Sequence, residues 1–126
     1  MNAVDLIQVV ENCAICRPVG KTTFEAAVTL AEEAIQFARE QNLPKLLFNG
    51  AGLTGFPSPS LPERYFLSRR FATAAGGKVQ MALVIQREMI DPEKFGILVA
   101  RNAGMNADVF DNEPEALSWL LLKPTV

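Results

Sequence analysis

Apolar and polar residues follow one another along the chain in blocks whose period changes between helical and extended spacing. The clearest block covers residues 24–40, where apolar residues recur at helical spacing and charged or amide side chains fill the opposite face. Its apolar positions are Phe24, Ala27, Val28, Ala31, Ile35 and Ala38. This pattern is typical of an amphipathic helix packed on a core. We predict a helix that residues 20–23 open, with a threonine as its cap, and that Asn42 and Pro44 end.

Three more helices are predicted from their start and stop signals. Ser60 and Glu63 have the spacing of a capping box, with Pro62 in the first turn, and Gly76 and Gly77 end the helix that they begin. A third helix is expected from residues 91–92 to Gly104. A fourth is expected to be capped at residues 112–115 and ended by Pro124.

Short apolar runs between these helices predict strands. Residues 45–49, 78–86 and 107–110 are expected to be strands, the first two buried on both faces. Residues 3–10 and 13–19 are predicted to form an antiparallel hairpin, because only residues 11–12 separate them. Strands that alternate with helices predict an α/β fold, a mostly parallel sheet with an antiparallel N-terminal hairpin and helices packed on it. We expect residues 1–126 to form a single domain.

A glycine motif after the strand at 45–49 raises the question of a dinucleotide site. Gly50, Gly52 and Gly55 have the spacing G-x-G-x-x-G. In a dinucleotide-binding loop the helix starts at once and an acidic residue follows after ~20 positions. Here a proline-containing segment delays the helix to about Ser60, and the acidic residue is missing. We expect no cofactor, neither NAD(H) nor ATP, and interpret the glycines as positions with positive φ.

Composition and charge argue against several classes of function. The formal net charge is -2, from 12 basic and 14 acidic residues, and no basic stripe for nucleic acid is present. We expect no nucleic-acid partner and no membrane span, because no apolar run approaches the ~20 residues that a span requires. The N-terminus lacks the features of a signal peptide, so we expect a soluble cytoplasmic protein. The chain has no histidine, which excludes His-activated nucleophiles, and no enzymatic activity is expected.

Cys13 and Cys16 form a C-x-x-C pair, which in other contexts is a redox or metal motif. The pair lies in a segment with strand character, where residues three apart point to opposite faces. A metal site would also require a second ligand pair. We therefore expect two reduced, unpaired cysteines, buried or half-buried, and no metal.

The order of the elements and several segments resemble the SpoIIAA-like STAS superfamily, the fold of the anti-sigma-factor antagonists and of related small bacterial proteins of unknown function. The segments that carry the resemblance are GKTTFEAAVTLAEEAI, KLLFNGAGLTGF, KVQMALVIQ and DPEKFGILVARNAGMNADVFDNEPEALSWL. The resemblance covers nearly the whole chain. It implies an antagonist-like regulatory domain that binds a protein partner.

The resemblance also implies where a phosphorylated serine would lie. In the antagonists the equivalent strand ends in an acidic residue, and a D-S-S-G-like turn presents the serine at a helix start. This chain has Asn49 in place of the acid and no such turn, which puts the switch in doubt. Ser58 and Ser60 lie in the equivalent region. We interpret Ser60 as a helix cap and Ser58 as a loop hydroxyl.

The candidate site is the loop at 50–60 with the start of the helix that follows. Ligands of open α/β sheets gather beyond the carboxyl ends of the strands, and a helix N-terminus favours anions. Arg64 is placed to reach back, and Phe56 and Tyr65 to form an apolar wall; the alternative is that Arg64, Arg69 and Arg70 form a solvated helix face. The candidate residues are Asn49, Thr54, Phe56, Ser58, Ser60, Arg64 and Tyr65.

Two functions from different classes remain open. The first is a non-catalytic regulatory or protein-interaction domain that uses residues 50–70. The alternative is a binding domain for a small molecule, a lipid or an anionic metabolite, with its pocket under the loop; a distant likeness to lipid-transfer folds motivates it. We also expect a homodimer formed partly through the loop and the next helix. Pro57 and Pro59 are expected to hold Phe56 in an extended surface loop, where it does not pack inward. On the helix, Tyr65, Phe66, Leu67 and Phe71 are too widely spread for one core-facing stripe.

Overall fold

The computed structural model describes residues 2–122, which form a main sheet with helices on both faces. Its helices are α1 (Phe24–Glu40), α2 (Leu61–Ala75), α3 (Phe95–Asn102) and α4 (Glu113–Leu121), with 3-10 turns at Ala3–Leu6 and Arg87–Met89. Its strands are β1 (Ile7–Val10), β2 (Cys13–Cys16), β3 (Gly20–Lys21), β4 (Lys45–Asn49), β5 (Leu53–Thr54), β6 (Gln80–Val84) and β7 (Ala107–Phe110).

The main sheet has the order β1-β2-β4-β6-β7 within the described residues. β1 pairs antiparallel with β2, and the remaining neighbours pair in parallel. This confirms the predicted α/β class and the N-terminal hairpin. Each parallel crossover moves one strand further in the same direction, and crossovers of one hand then place their helices on one face of the sheet. Accordingly, the first three helices cover one face and α4 covers the other.

The three helices on the first face do not contact the sheet equally. α1 packs on β2 and β4, and α3 packs on β7, whereas α2 packs chiefly on α1 and α3. α2 thus lies above the middle of the sheet, supported by its neighbours. This arrangement determines where the candidate site lies.

Strand alternation sends the two cysteines to different layers of the core, as predicted. Cys16 packs with the α1 face and Cys13 with the α4 face, and both thiols are free. Burial raises the pKa of both thiols, that of Cys16 to about 11. Neither thiol is therefore an appreciable thiolate at neutral pH.

The N-terminal caps expected for α1, α2 and α4 form as predicted. Ser60 and Glu63 make a complete capping box, and Thr23 and Asn112 each accept a hydrogen bond from a backbone N–H of the first turn. α2 ends at Gly76, which adopts the left-handed conformation with φ 55°. The predicted role of Pro124 lies outside the described residues.

Several predicted boundaries were wrong. Residues 3–6 form a 3-10 turn, and the first strand begins only at Ile7. α3 begins at Phe95 instead of residues 91–92, because Lys94 has φ 52° and interrupts the helical backbone. Gly20 and Lys21 do not open α1 but form β3, which pairs with β5.

The glycine loop is explained by close packing more than by positive φ. Of its three glycines, Gly55 has φ 104°, whereas Gly50 and Gly52 have no positive φ, so that interpretation was wrong for these two. A Cβ atom on Gly55 would lie 2.5 Å from the Thr22 carbonyl oxygen, and one on Gly52 would lie 3.1 Å from the Val19 Cγ2 atom. Gly52 and Gly55 therefore allow the β5 segment to approach residues 18–22.

Two aromatic residues assigned to an exposed interface lie in the interior. Phe71 is 5% exposed and belongs to the core, and Phe56 is half-buried with its ring 6.0 Å from that of Phe24. The prolines beside Phe56 keep the chain extended but do not turn its side chain outward. Phe66 is 65% exposed, in agreement with the surface position that we predicted for it.

None of the helices within residues 2–122 has the length and apolar character of a membrane-spanning segment.

We predict that Ile35→Ala destabilises the protein by about 2–4 kcal/mol, because Ile35 is fully buried on α1 and its removal leaves a cavity. The free energy of unfolding from urea titrations measures the effect. The control is Gln36→Ala, which alters an exposed neighbour on the same helix. An unchanged midpoint for Ile35→Ala would show that the buried face of α1 is assigned wrongly.

Candidate functional site

A cavity of about 140 Å³ lies between the main sheet and the three helices of its first face. Its floor consists of strand side chains that include Phe48, Met81, Leu83, Ala107 and Val109. Its roof is α2, through Leu67, Ser68 and Phe71. Because α2 rests on its neighbouring helices and not on the strands, a space remains between it and the sheet.

Small side chains on the walls of the cavity leave its interior unfilled. α1 contributes Phe24, Ala27, Val28 and Ala31, spaced i, i+3, i+4 and i+7, so that one stripe of the helix faces the space. Ala100 on α3 and Ala107 on β7 add two more short side chains. Larger residues at these alanines would occupy the space without any change of fold.

The charged groups of the cavity lie at the carboxyl edge of the sheet. Arg64, Asp91 and Lys94 line this end, and the buried Ser68 hydroxyl adds a polar group on the roof. At the opposite end, Met105 is 2% exposed and closes the space. The cavity therefore has an apolar interior and a charged end, which we call the polar mouth (Arg64, Asp91, Lys94).

Arg64 joins two segments across the polar mouth. It donates one hydrogen bond to the Ser58 Oγ atom, at 3.0 Å, and another to the Met89 carbonyl oxygen, at 3.1 Å. The reach of Arg64 back towards the loop was predicted from the sequence. Its bond to the segment after β6 was not, because nothing in the sequence relates positions 64 and 89.

The structure brings together two of the predicted site residues at the cavity and leaves the others outside it. Phe56 and Arg64 line the cavity. Tyr65 is exposed and packs against Phe66, with ring centroids 5.5 Å apart, so it forms no apolar wall with Phe56. The lining does not include Thr54, Ser58 or Ser60.

Several of the backbone donors expected to bind an anion are already engaged. The Ser60 Oγ atom accepts from the Glu63 N–H, and the Glu63 carboxylate accepts from the Ser60 N–H. In the loop, the N–H groups of Gly50 and Leu53 donate to backbone carbonyls, and that of Ala51 donates to the Asn49 side chain. Among the predicted groups, the guanidinium of Arg64 is therefore the one that lines the cavity and bears a positive charge.

Asn49 lies on the opposite face of the sheet, where it contacts α4. Its amide donates to the Glu113 carboxylate at 2.6 Å, and Arg17 donates two hydrogen bonds to the same carboxylate. The Arg17 hydrogen bonds, aided by that of Asn49, lower the pKa of Glu113 against the opposing effect of burial. This cluster fixes the start of α4 to the ends of β2 and β4.

Comparisons with known proteins identify no family for this chain. No protein-family model matches it, and no curated protein matches it significantly. The structure is similar to the NMR structure of the protein TM1081, with a TM-score of 0.48 and 15% sequence identity over 93% of this chain and 88% of that one. A likeness of this degree says nothing about what this chain binds.

Sequence reasoning missed most of the cavity lining. Its residues come from α1, α2, α3, the strands and the segment at 85–91, each of which reads as ordinary core. The alanines at helical spacing on α1 were recognised as a buried face, which gives no sign of a space beside it. Only the folded structure shows that alanines of α1, α3 and β7 line the same space.

We predict that Glu113→Gln lowers stability at neutral pH by roughly 0.5–1 kcal/mol, because the ion pair with the half-exposed Arg17 is lost. The folded pKa of Glu113 is depressed, so its stabilisation is fully present above the ordinary value of 4.5 and is lost as the pH falls through the folded pKa. Urea midpoints of the two proteins between pH 7 and pH 3 should therefore converge at the acid end.

Glu115→Gln is the matched control, since Glu115 lies on the same helical turn and its side chain makes no ion pair within residues 2–122. A difference between wild type and Glu113→Gln that stays constant down to pH 3 would contradict the role assigned to this carboxylate.

Proposed function

We propose that this chain is a non-catalytic binding domain that takes the apolar part of a small molecule into the cavity under α2. The observation that carries the proposal is the cavity itself, about 140 Å³ with an almost wholly apolar lining and one charged end. Small-molecule sites share this composition, a largely apolar surface with few convergent polar groups.

The energetic cost of the space supports a functional reason for it. Protein interiors are close-packed, and voids larger than a water molecule are few. At about 24 cal/mol per Å³, a cavity of this size costs on the order of 3 kcal/mol compared with a filled core. Replacing Ala31 or Ala100 by a larger apolar residue would recover part of that energy.

The volume limits the group that fits. An engineered apolar cavity of about 150 Å³ in another protein stays dry and binds benzene. The cavity of this chain is close to that size, so it accommodates one aromatic ring or a short aliphatic chain in its present shape. A full-length lipid chain would require α2 to move away from the sheet.

We predict that Ala31→Leu stabilises the protein by roughly 1 kcal/mol and abolishes binding of toluene, because the larger side chain fills the cavity. The free energy of unfolding and an NMR titration of the amide signals with toluene measure the two effects. The control is Ala34→Leu, one turn further along α1 at a fully buried position that does not line the cavity.

Ala34→Leu is expected to destabilise the protein by about 1–3 kcal/mol through overpacking and to leave toluene binding in place. The proposal would be refuted if toluene failed to perturb the amides around the cavity of the wild-type protein, or if Ala31→Leu bound toluene equally well.

We propose self-association through α2 as a second function of the same region. Leu61, Tyr65 and Phe66 are 55%, 43% and 65% exposed and lie together on the first turns of the helix. The adjoining groove between α1 and α2 carries both signs of charge, on Glu32, Glu40, Arg39, Arg69 and Lys78 among others. A two-fold interface places the same surface on both subunits, which suits a patch with mixed charge.

We predict that the wild-type protein is a dimer at micromolar concentration and that Phe66→Glu makes it a monomer that remains folded. Sedimentation equilibrium measures the mass. Leu98→Glu is the control, because Leu98 is also exposed but lies on α3. A wild-type monomer would contradict the interface, and Phe71→Glu is expected to unfold the chain because Phe71 is core.

The resemblance to the SpoIIAA-like STAS superfamily, and with it a regulatory role with a protein partner in the cytoplasm, stays a prediction. The order of the elements supports it. A regulatory role is also compatible with the cavity, because α2 carries both its roof and the exposed aromatic pair. A ligand bound in the cavity could then alter, through α2, the surface that binds a protein partner.

A further inference from the structure

We propose that Arg64 binds the head group of an anionic ligand, and that the ligand class is a small aromatic or short aliphatic carboxylate. The inference rests on the proposed function of the cavity and adds the chemistry of its polar mouth. The ring or chain would occupy the apolar interior, and the carboxylate would lie at Arg64, at the carboxyl edge of the sheet.

The hydrogen bonds of Arg64 make it available to an anion. It bonds two neutral oxygens, the Ser58 hydroxyl and the Met89 carbonyl. Among the described residues, no carboxylate lies within ion-pairing distance of it. Lys94, the other cation that lines the cavity, is by contrast paired with Asp108. A carboxylate ligand would replace neutral acceptors by a charged one, which gives a stronger hydrogen bond.

The other charged groups at the polar mouth are bonded to partners other than Arg64. The Asp91 carboxylate accepts the Phe95 N–H at 2.8 Å, and the Lys94 ammonium is 2.9 Å from Asp108. None of these contacts involves Arg64, and no salt bridge to its guanidinium forms among residues 2–122. A carboxylate ligand would supply an ion-pair partner, and the planar fork of arginine matches its two oxygens.

The interior of the cavity selects against large and strongly polar ligands. Within the lining, Arg64, Ser68, Asp91 and Lys94 are the polar side chains, and the rest is apolar. Burying a hydroxyl or amide there without a partner is unfavourable. The ligand should therefore be polar at one end only.

Benzoate and nitrobenzene form the matched pair of probes, because the two are planar and nearly equal in shape but only benzoate is charged. Their dissociation constants are measured by NMR titration for the wild type and for Arg64→Gln. We expect Arg64→Gln to weaken benzoate binding by about tenfold or more and to change nitrobenzene binding by less than about threefold, since the loss is that of charge-assisted hydrogen bonds.

Two control variants separate the charge of Arg64 from its structural bonds. Arg69→Gln removes a positive charge from the same helix at an exposed position outside the cavity and should leave both constants unchanged. Ser58→Ala removes one neutral partner of Arg64 but keeps the guanidinium, and benzoate should bind at least as tightly as to the wild type.

The outcomes distinguish this inference from the proposed function. Binding of nitrobenzene without any binding of benzoate, or an equal loss of both in Arg64→Gln, would overturn the role of Arg64 and leave the cavity proposal standing. Failure of the wild type to bind toluene, nitrobenzene and benzoate would overturn both.

Discussion

The width of the main sheet decides where the empty space in this molecule lies. Neighbouring strands are about 4.8 Å apart, so the step from β4 to β7 covers roughly 10 Å. Two neighbouring helices require about 8–10 Å between their axes. α1 packs over β2 and β4, and α3 packs over β7. The space between these two helices is too narrow for a third helix to lie flat on the sheet, so α2 is lifted away from the strands.

The elements that the sequence predicted correctly are those whose signals are local. Both partners of the capping box at Ser60 lie within one turn, and the buried face of α1 repeats within one helix, as Ile35 illustrates. The opposite orientations of Cys13 and Cys16 follow from strand alternation alone. In these cases the residues that determine the structure are close in sequence, so their spacing is sufficient.

The features that the sequence did not predict depend on residues far apart in the chain. Phe71 was misassigned because α2 is buried by two helices and has no single apolar stripe facing a sheet. Phe56 was misassigned because its ring packs on that of Phe24, 32 positions earlier in the chain. Asn49 lies against α4 because Glu113, 64 positions later, accepts its hydrogen bond. Of the candidate site, the location at the carboxyl edge and the reach of Arg64 were predictable, whereas the cavity depends on alanines from separate elements.

The cavity also has a mechanical consequence for the molecule. Hydrostatic pressure favours the state of smaller volume, and the volume change of unfolding scales with the internal voids that unfolding eliminates. The cavity of about 140 Å³ is therefore expected to increase the contraction on unfolding and the sensitivity of the fold to pressure. The layer between α2 and the strands, which contains the cavity, is thus the compressible part of this fold.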